Sequence, residues 1–406
     1  MANIDTVIIG AGQAGVAVSW CLDQLGHDHV ILERGRVAER WRSERWQSLR
    51  TLTPNWMNRL PGADYAGPDA DGFMTKDELV AHFEAYAASF AAPVLERTPV
   101  ESVVRTGDGF DVVGGGRWRA RNVVIATGWA DRPRVPSSAR RLPRRVQQLT
   151  AASYRHPSQV VGERVLVVGA SASGTQIADE LARAGRTVTI AAGRHRRLPR
   201  RYRGRDILWW LDDLGLLDRY PRNEDERRRL VGEPSMQLAA YRAVDLNMLL
   251  GEGVAVTGHL DGVADGRVWF ADDLMTTVAD ADRRLRRLID QIDQRADELG
   301  TPGDGDRAGP VDPPPAPPSL PLGAGGVDAI VWATGYRRSY PWLHVPVLDA
   351  RNEIRHDHGI TPVPGLFVSG MRFQSGRRST FIDGTRVDAP VIADAIARRD
   401  ARDRVA

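Results

Sequence analysis

Residues 167–174 read VVGASASG, directly after the branched apolar run that starts at Val165 and directly before TQIADELARAG. An apolar strand that turns through small residues into a helix aims backbone N–H groups at a phosphate. The spacing is that of G-x-G-x-x-G with its middle glycine replaced by Ser171. A cleaner copy, VIIGAGQAG, stands at residues 7–15, and each copy opens a strand–helix–strand unit, TVIIG…HVILERG and RVLVVG…RTVTIAAG. Two such units about 160 residues apart form an internal repeat at the scale of a domain. The predicted fold class is α/β, with two Rossmann-like dinucleotide-binding domains.

Around these units the chain places limits on its chemistry. At 406 residues, 42% hydrophobic and 26% charged, it has room for two domains with proper cores. One cysteine, Cys21, allows no internal disulfide, no CxxC redox pair and no zinc cluster. Lys76 is the sole lysine, which leaves essentially no candidate for Schiff-base chemistry. Net charge is +3 with both signs interleaved, so nucleic-acid binding is not expected. No charged leader precedes the first strand and no apolar run is long enough to span a bilayer, so a cytoplasmic protein without a membrane partner is expected. The histidine pairs at His27–His29 and His356–His358 lack a third ligand and read as solvated turns, with no metal.

The two fingerprints differ where it matters for the coenzyme. In the first, Gly10 makes the tight turn, Gly12 admits a pyrophosphate and Gly15 lets the helix pack on the strand, with Gln13 and Ala14 between. Glu33, beside Arg34, stands 23 residues after Gly10, where a carboxylate accepts from ribose hydroxyls and repels a 2′-phosphate. The same count from Gly169 in the second copy lands on Ala192, and Arg194 to Arg197 follow. Loss of the acid and gain of guanidinium suit a 2′-phosphate, so the first site is expected to hold FAD and the second NADPH. Gly169, Ser171, Ala172, Ser173, Gly174, Arg194 and Arg197 are the NADPH candidates. A rival reading takes GASAS as a nucleophile elbow, with Ser171 an esterase nucleophile, but Ser173 stands where the elbow needs glycine.

The rest of the chain sets the domain plan. Residues 1–160 are expected to start the FAD domain, 161–325 to form the NADPH domain with a helical insertion, and 326–406 to complete the FAD domain. A long polar helix is expected from about Asp272 to Gly300, with its apolar stripe on a neighbouring sheet or at a subunit interface; a homodimer stays open. Residues 301–326 are Pro/Gly-rich and read as an exposed, mobile loop. The final helix is entered near Gly384.

With GAGQAG, Glu33, ERWRSERWQSLRTLTPNWMNRLPG at 39–62, IATGWADRPRVP, SYRHP, WATGYRRSYPWL and STFIDGTRVDA in place, the chain resembles the two-dinucleotide-domain flavin monooxygenases. These are the flavin-containing and YUCCA-type enzymes and, more distantly, the Baeyer–Villiger monooxygenases. The resemblance implies FAD on the outer domain and NADPH on the inserted one. Reduced flavin and O2 would form a C4a-(hydro)peroxide that gives one oxygen atom to a small organic substrate behind a water-excluding lid. It implies that Thr127, Gly128, Thr334 and Gly335 mark the crossings between domains, and that Trp41 and Arg42 lie along the FAD adenosine and pyrophosphate. Thr53, Pro54 and Asn55 would lie near the flavin ring, Asp383 and Gly384 would face it from a helix N-terminus, and Tyr336 and Arg337 would border NADPH. Asn55, Arg372 and Gln374 are candidates for the catalytic side.

The chain also departs from the pattern. The family often carries F-x-G-x-x-x-H-x-x-x-[YW] before the second fingerprint; here Tyr154 fits the last place, Thr150 takes the histidine place, and the phenylalanine and glycine are missing. Leu52 stands where the flavin-containing monooxygenases have an asparagine. An NADPH-dependent oxidase or reductase that releases H2O2, and a non-enzymatic flavin redox sensor, therefore remain open beside the monooxygenase.

Overall fold

The computed structural model describes residues 1–301, 303 and 307–405, side chains after 401 excepted. Two sheets carry the two repeats, the first mixed, with Gly109–Val113 antiparallel to both of its neighbours, and the second parallel. In the first, the strand order is Leu343–His344, Ser102–Thr106, Gly109–Val113, Arg117–Ile125, Ala2–Ile9, His29–Leu32 and Val94–Leu95, with Leu366–Val368 also paired to Arg117–Ile125. Ala2–Ile9 runs parallel to both of its neighbours. The second sheet, all parallel, runs Ala255–Thr257, Thr187–Ala191, Arg164–Val168, Ala329–Trp332, Gln147–Thr150.

Local sequence explains the elements that frame the site. Val7, Ile8 and the Val30–Leu32 run are buried, as expected of a central parallel strand covered on both faces. Helix Gln13–Gln24 packs beside Thr385–Val405 on one face, with Val16, Ala17, Leu22, Ala389, Ile392 and Ile396 in a common core. Helix Lys76–Ser89 joins that core and begins with a reciprocal capping box between Thr75 and Glu78. In the second unit, Ile177, Ala178 and Leu181 of helix Ala172–Arg183 pack on Val165 and Val167.

Sheet membership departs from the expected boundaries in two places. Gln147–Thr150, expected in the first segment of the FAD domain, forms the edge of the second sheet, and Ala329–Trp332, expected in its completing segment, lies inside that sheet. A four-residue run buried on every side, such as AIVW, carries no mark of which sheet it joins. The chain then crosses back through Tyr336–Arg337, which pairs antiparallel with the outgoing Arg132–Pro133.

The long helix spans Leu274–Glu298, and its apolar stripe is satisfied within the chain. Leu274 and Val278 enter the core of the second sheet, while Leu285, Ile289 and Ile292 pack with Leu208, Trp210 and Leu217 of the helical insertion. The Pro/Gly-rich stretch is tethered rather than free. Asn247 donates to the Gly309 and Pro310 carbonyls, Val311 N donates to Asp282 at 3.1 Å, and the Val311 side chain is buried. Residues 302 and 304–306 of that stretch lie outside the described residues. His29 is not a solvated turn either: it is buried, with its ring nitrogens on Ser19 Oγ and the His27 carbonyl. Among the described residues no group of three potential ligands could hold a metal, and no helix is long and apolar enough to cross a membrane.

Asp388, in the first turn of the last helix, is buried, and burial pushes its carboxyl from 3.8 up to about 6. A raised carboxyl favours the protonated form of the fold, so this side chain is neutral in both states below about pH 4 and costs stability as pH rises towards 6. Asp388→Asn is expected to flatten the pH dependence of Tm between about 4 and 6 and to raise Tm above that window. A wild-type slope in the variant would remove Asp388 as its source.

Candidate functional site

The two fingerprint turns are built alike. Gly10 has φ +106°, and a Cβ there would stand 2.8 Å from the Ala126 carbonyl oxygen; Gly169 has φ +108° and the corresponding distance to the Ala333 oxygen is 2.5 Å. A Cβ on Gly15 would stand 1.9 Å from the Gly10 oxygen, and one on Gly174 would stand 1.8 Å from the Gly169 oxygen. Each turn thus rests on the alanine of an Ala-Thr-Gly strand end, 126–128 in one unit and 333–335 in the other. The middle position is different in kind. Gly12 (φ −81°, ψ −177°) and Ser171 (φ −91°, ψ −178°) share an extended conformation open to any residue, and nothing lies within 4 Å of a Cβ on Gly12. Serine is therefore tolerated without disturbing the turn.

A cavity of about 410 Å³ opens over the first turn, lined by Gly10, Gly12, Gln13, Ala14, Glu33, Arg34, Trp41, Thr127 and Gly128 among others. Glu33 is buried; its carboxylate accepts from Ala11 N at 2.7 Å and from Gly35 N at 2.8 Å, which pins it at the mouth of the turn. A glycine cradle open where the middle Cβ would be, next to a fixed carboxylate, fits the pyrophosphate and ribose of an adenine dinucleotide.

The second cavity, about 740 Å³, lies over the later turn and reaches into the cleft between the sheets. Gly169, Ser171, Ser173, Arg194, Thr334, Gly335, Tyr336 and Arg337 line it from the inserted unit and its return crossing. Thr53 and Arg372 line it from the opposite side. Leu52, Leu208, Leu238, Phe381 and Ile382 give it an apolar wall. Of the insertion segment DILWWLDDLGLLD, Leu208 alone lines this cavity. Arg372 lies 5.3 Å over the Trp129 ring and donates to the Glu233 carbonyl at 2.9 Å. Burial, with help from Arg377 and Arg338, lowers its pKa to about 10. Burial alone would raise Glu233, but Arg196 and Arg377, each paired with it at 2.7 Å, hold its carboxyl below the ordinary range.

Several expected site residues face elsewhere. Arg197 is the main correction: its side chain is 1% exposed and pairs with Asp245 (2.7 Å) and Asp282, and it also donates to the Gly309 carbonyl. Its guanidinium lies in this buried ion cluster and does not line the cavity, which leaves Arg194 on the rim. Arg42 turns away to Glu84 at 2.6 Å. Asn55 donates to the Asp69 carbonyl (2.9 Å) and accepts from Met74 N (3.1 Å), so its amide braces a loop. Gln374 is fully buried, with its Oε1 accepting from Met371 N at 3.3 Å. Asp383 is held by Arg59 (2.8 Å) and Arg378 (2.6 Å), and neither it nor Gly384 lines either of these two cavities. Gly384 is required sterically, because a Cβ would stand 2.0 Å from the Arg378 oxygen. Gly15 and Gly174 serve helix–strand packing, and Ala172 is buried at the start of its helix.

The sequence did not single out Arg45, Trp129, Arg134, Glu233, Arg338 or Arg377, all of which line the cleft. In a chain where nearly every basic residue is arginine, an arginine at a site has no contrast with one on the surface. Trp129, directly after the first Ala-Thr-Gly, was the one with a positional signal.

Comparison with known proteins agrees with this geometry. Residues 7–207 match the model of the pyridine nucleotide-disulphide oxidoreductase family. The chain is 31% identical over 398 residues, 97% of its length and 98% of the relative's, to an uncharacterized CzcO-like oxidoreductase of Geobacillus kaustophilus. It is 33% identical over 184 residues, 44% of this chain and 45% of the other, to an indole-3-pyruvate monooxygenase of the YUCCA type from Oryza sativa subsp. japonica. A flavin-containing monooxygenase from Stenotrophomonas maltophilia shares the fold, with a TM-score of 0.68 at 21% identity over 98% of this chain and 99% of that one. The chain belongs to the CzcO-like oxidoreductases, is similar to the flavin-containing and YUCCA-type monooxygenases, and is a flavin-dependent oxidoreductase that binds a flavin and a nicotinamide dinucleotide.

Proposed function

We propose that the protein is an NADPH- and O2-dependent flavoprotein monooxygenase acting on a small organic molecule, with FAD over the first turn and NADPH over the second. The observation that carries this reading is the pair of like-built turns that differ in charge at the ribose position. Glu33 is pinned beside the first turn, while Arg194 lines the second cavity and no carboxylate follows the second strand. When bound, the nicotinamide supplies two electrons and the flavin activates O2. The chain's own groups do the rest. Gly12 and Ser171 leave backbone N–H groups open to the pyrophosphates, Glu33 orients one ribose, and Arg194 selects a 2′-phosphate on the other. Leu52, Leu208, Leu238, Phe381 and Ile382 keep water from the reacting end of the cleft, and Arg372 stacked on Trp129 places a fixed positive charge there.

Leu52 also supports a second reading, an NADPH oxidase. It presents an apolar surface where the resemblance would have an asparagine, so the cleft has no amide at that place. Oxygen-electrode assays with NADPH separate the two. A monooxygenase consumes NADPH faster when a suitable amine, sulfide, aldehyde or 2-oxo acid is added and releases less H2O2 than it consumes O2. An oxidase returns one H2O2 per NADPH whatever is added.

Arg194→Ala tests the coenzyme assignment. It is expected to weaken NADPH binding roughly tenfold or more while leaving NADH unchanged, because one charge-assisted bond to phosphate is lost. Titration of both coenzymes against the flavin spectrum reads this directly, and equal effects on the two would refute the role.

A further inference from the structure

Six residues line both cavities: Gln13, Trp41, Arg45, Trp129, Ala130 and Thr380. Arg45 alone among them is charged. Four neighbouring arginines are engaged. Arg40 pairs with Asp131 at 2.5 Å, Arg42 with Glu84 at 2.6 Å and Arg34 with Glu44 at 3.4 Å, while Arg155 donates to the Ala152, Tyr154 and Ser43 carbonyls. Arg45 stands 5.3 Å over the Trp41 ring and spends one N–H on the Glu44 carbonyl at 3.0 Å. Among the described residues no carboxylate pairs with it. Burial lowers its pKa from the ordinary guanidinium value, and Arg40 and Arg155 add to that, whereas Tyr336 and Glu44 oppose it. A half-buried cation surrounded by other cations is costly unless an anion completes it. A guanidinium has five donors in a planar fork, enough to engage oxygens on two sides.

We propose that Arg45 is a shared phosphate ligand that contacts both dinucleotides at the wall where their cavities meet, so that each cofactor strengthens the binding of the other. This rests on the assignment of flavin dinucleotide to the first cavity and nicotinamide dinucleotide to the second. The anion that Arg45 needs is supplied twice. Once one dinucleotide has ordered the guanidinium over Trp41, the second binds to a group already in place, which is a coupling free energy and must be reciprocal.

The test uses the flavin-loaded protein and two variants, Arg45→Gln and Arg45→Met, the second keeping the stem over Trp41. Two quantities are read without turnover: the NADP+ dissociation constant, from perturbation of the flavin spectrum, and the temperature of flavin release with and without saturating NADP+. In the native protein NADP+ is expected to raise the release temperature. In both variants NADP+ should bind roughly ten- to a hundredfold more weakly, flavin should leave at a lower temperature, and the rise caused by NADP+ should shrink. A change confined to one cofactor, or to neither, in folded variants would overturn the inference. A native protein that takes up no flavin, or whose flavin spectrum does not respond to NADP+, would instead overturn the assignment on which it rests.

Discussion

Gly15→Ala is expected to give a protein that melts markedly lower and is purified without flavin, whereas Gly12→Ala melts near the wild type as apoprotein and loses flavin affinity alone. The difference follows from where the two Cβ atoms would go. At Gly15 the methyl would stand 1.9 Å from the Gly10 carbonyl oxygen and 3.3 Å from the Ala126 Cβ, so helix Gln13–Gln24 must move off its strand. Overpacking against backbone costs about 1–3 kcal/mol, and the shift also moves the N–H groups that face the phosphates. At Gly12 the methyl meets no protein atom within 4 Å and enters the first cavity, where it displaces ligand rather than protein. Gly174→Ala should repeat the Gly15 phenotype in the second unit, with loss of nicotinamide binding in place of flavin. Chemical denaturation of apoprotein and flavin content per chain separate the two classes. Equal stability of Gly15→Ala and Gly12→Ala would remove the steric account of the motif.

The same steric contrast decides which features are legible in the sequence. A fingerprint glycine is legible because its constraint is local. Gly10 and Gly169 need a left-handed φ and Gly15 and Gly174 need a missing Cβ, and both demands fall at fixed spacing from an apolar strand. Glu33 is legible for the same reason, since strand length sets how far along the chain the ribose position falls. Sheet membership of Ala329–Trp332 was not legible, because pairing partners more than about 160 residues away leave no periodic trace in four buried residues. The charged residues fared worst. Asp383 and Arg197 have the residue types a cofactor would want, but each also meets the needs of a buried ion cluster, Asp383 with Arg59 and Arg378, Arg197 with Asp245 and Asp282. Only three-dimensional placement decides between those uses. The apolar stripe of Leu274–Glu298 was legible as a helix face, and its partner, the helical insertion, was not.

Arg197→Ala carries the second large effect, and it is an effect on folding. The guanidinium donates through Nε and Nη2 to Asp245 Oδ2 at 3.0 and 2.7 Å, and through Nη1 to Asp282 and to the Gly309 carbonyl. Asp245 caps the helix Leu246–Gly251 by accepting from Met248 N, and Asp282 holds Val311 N, so one buried cation ties a helix cap, the long helix and the proline-rich segment together. Removing it leaves two buried carboxylates without their counter-charge, a change worth about 3–5 kcal/mol. Arg197→Ala is therefore expected to fold poorly or to unfold at much lower urea. Adding Asp282→Asn to it should restore part of the loss, because one of the uncompensated charges is gone. Coenzyme discrimination in whatever fraction folds should match the wild type, in contrast to Arg194→Ala. If Arg197→Ala unfolds at the native urea concentration but no longer distinguishes NADPH from NADH, the cluster is not structural and the guanidinium reaches the coenzyme after all.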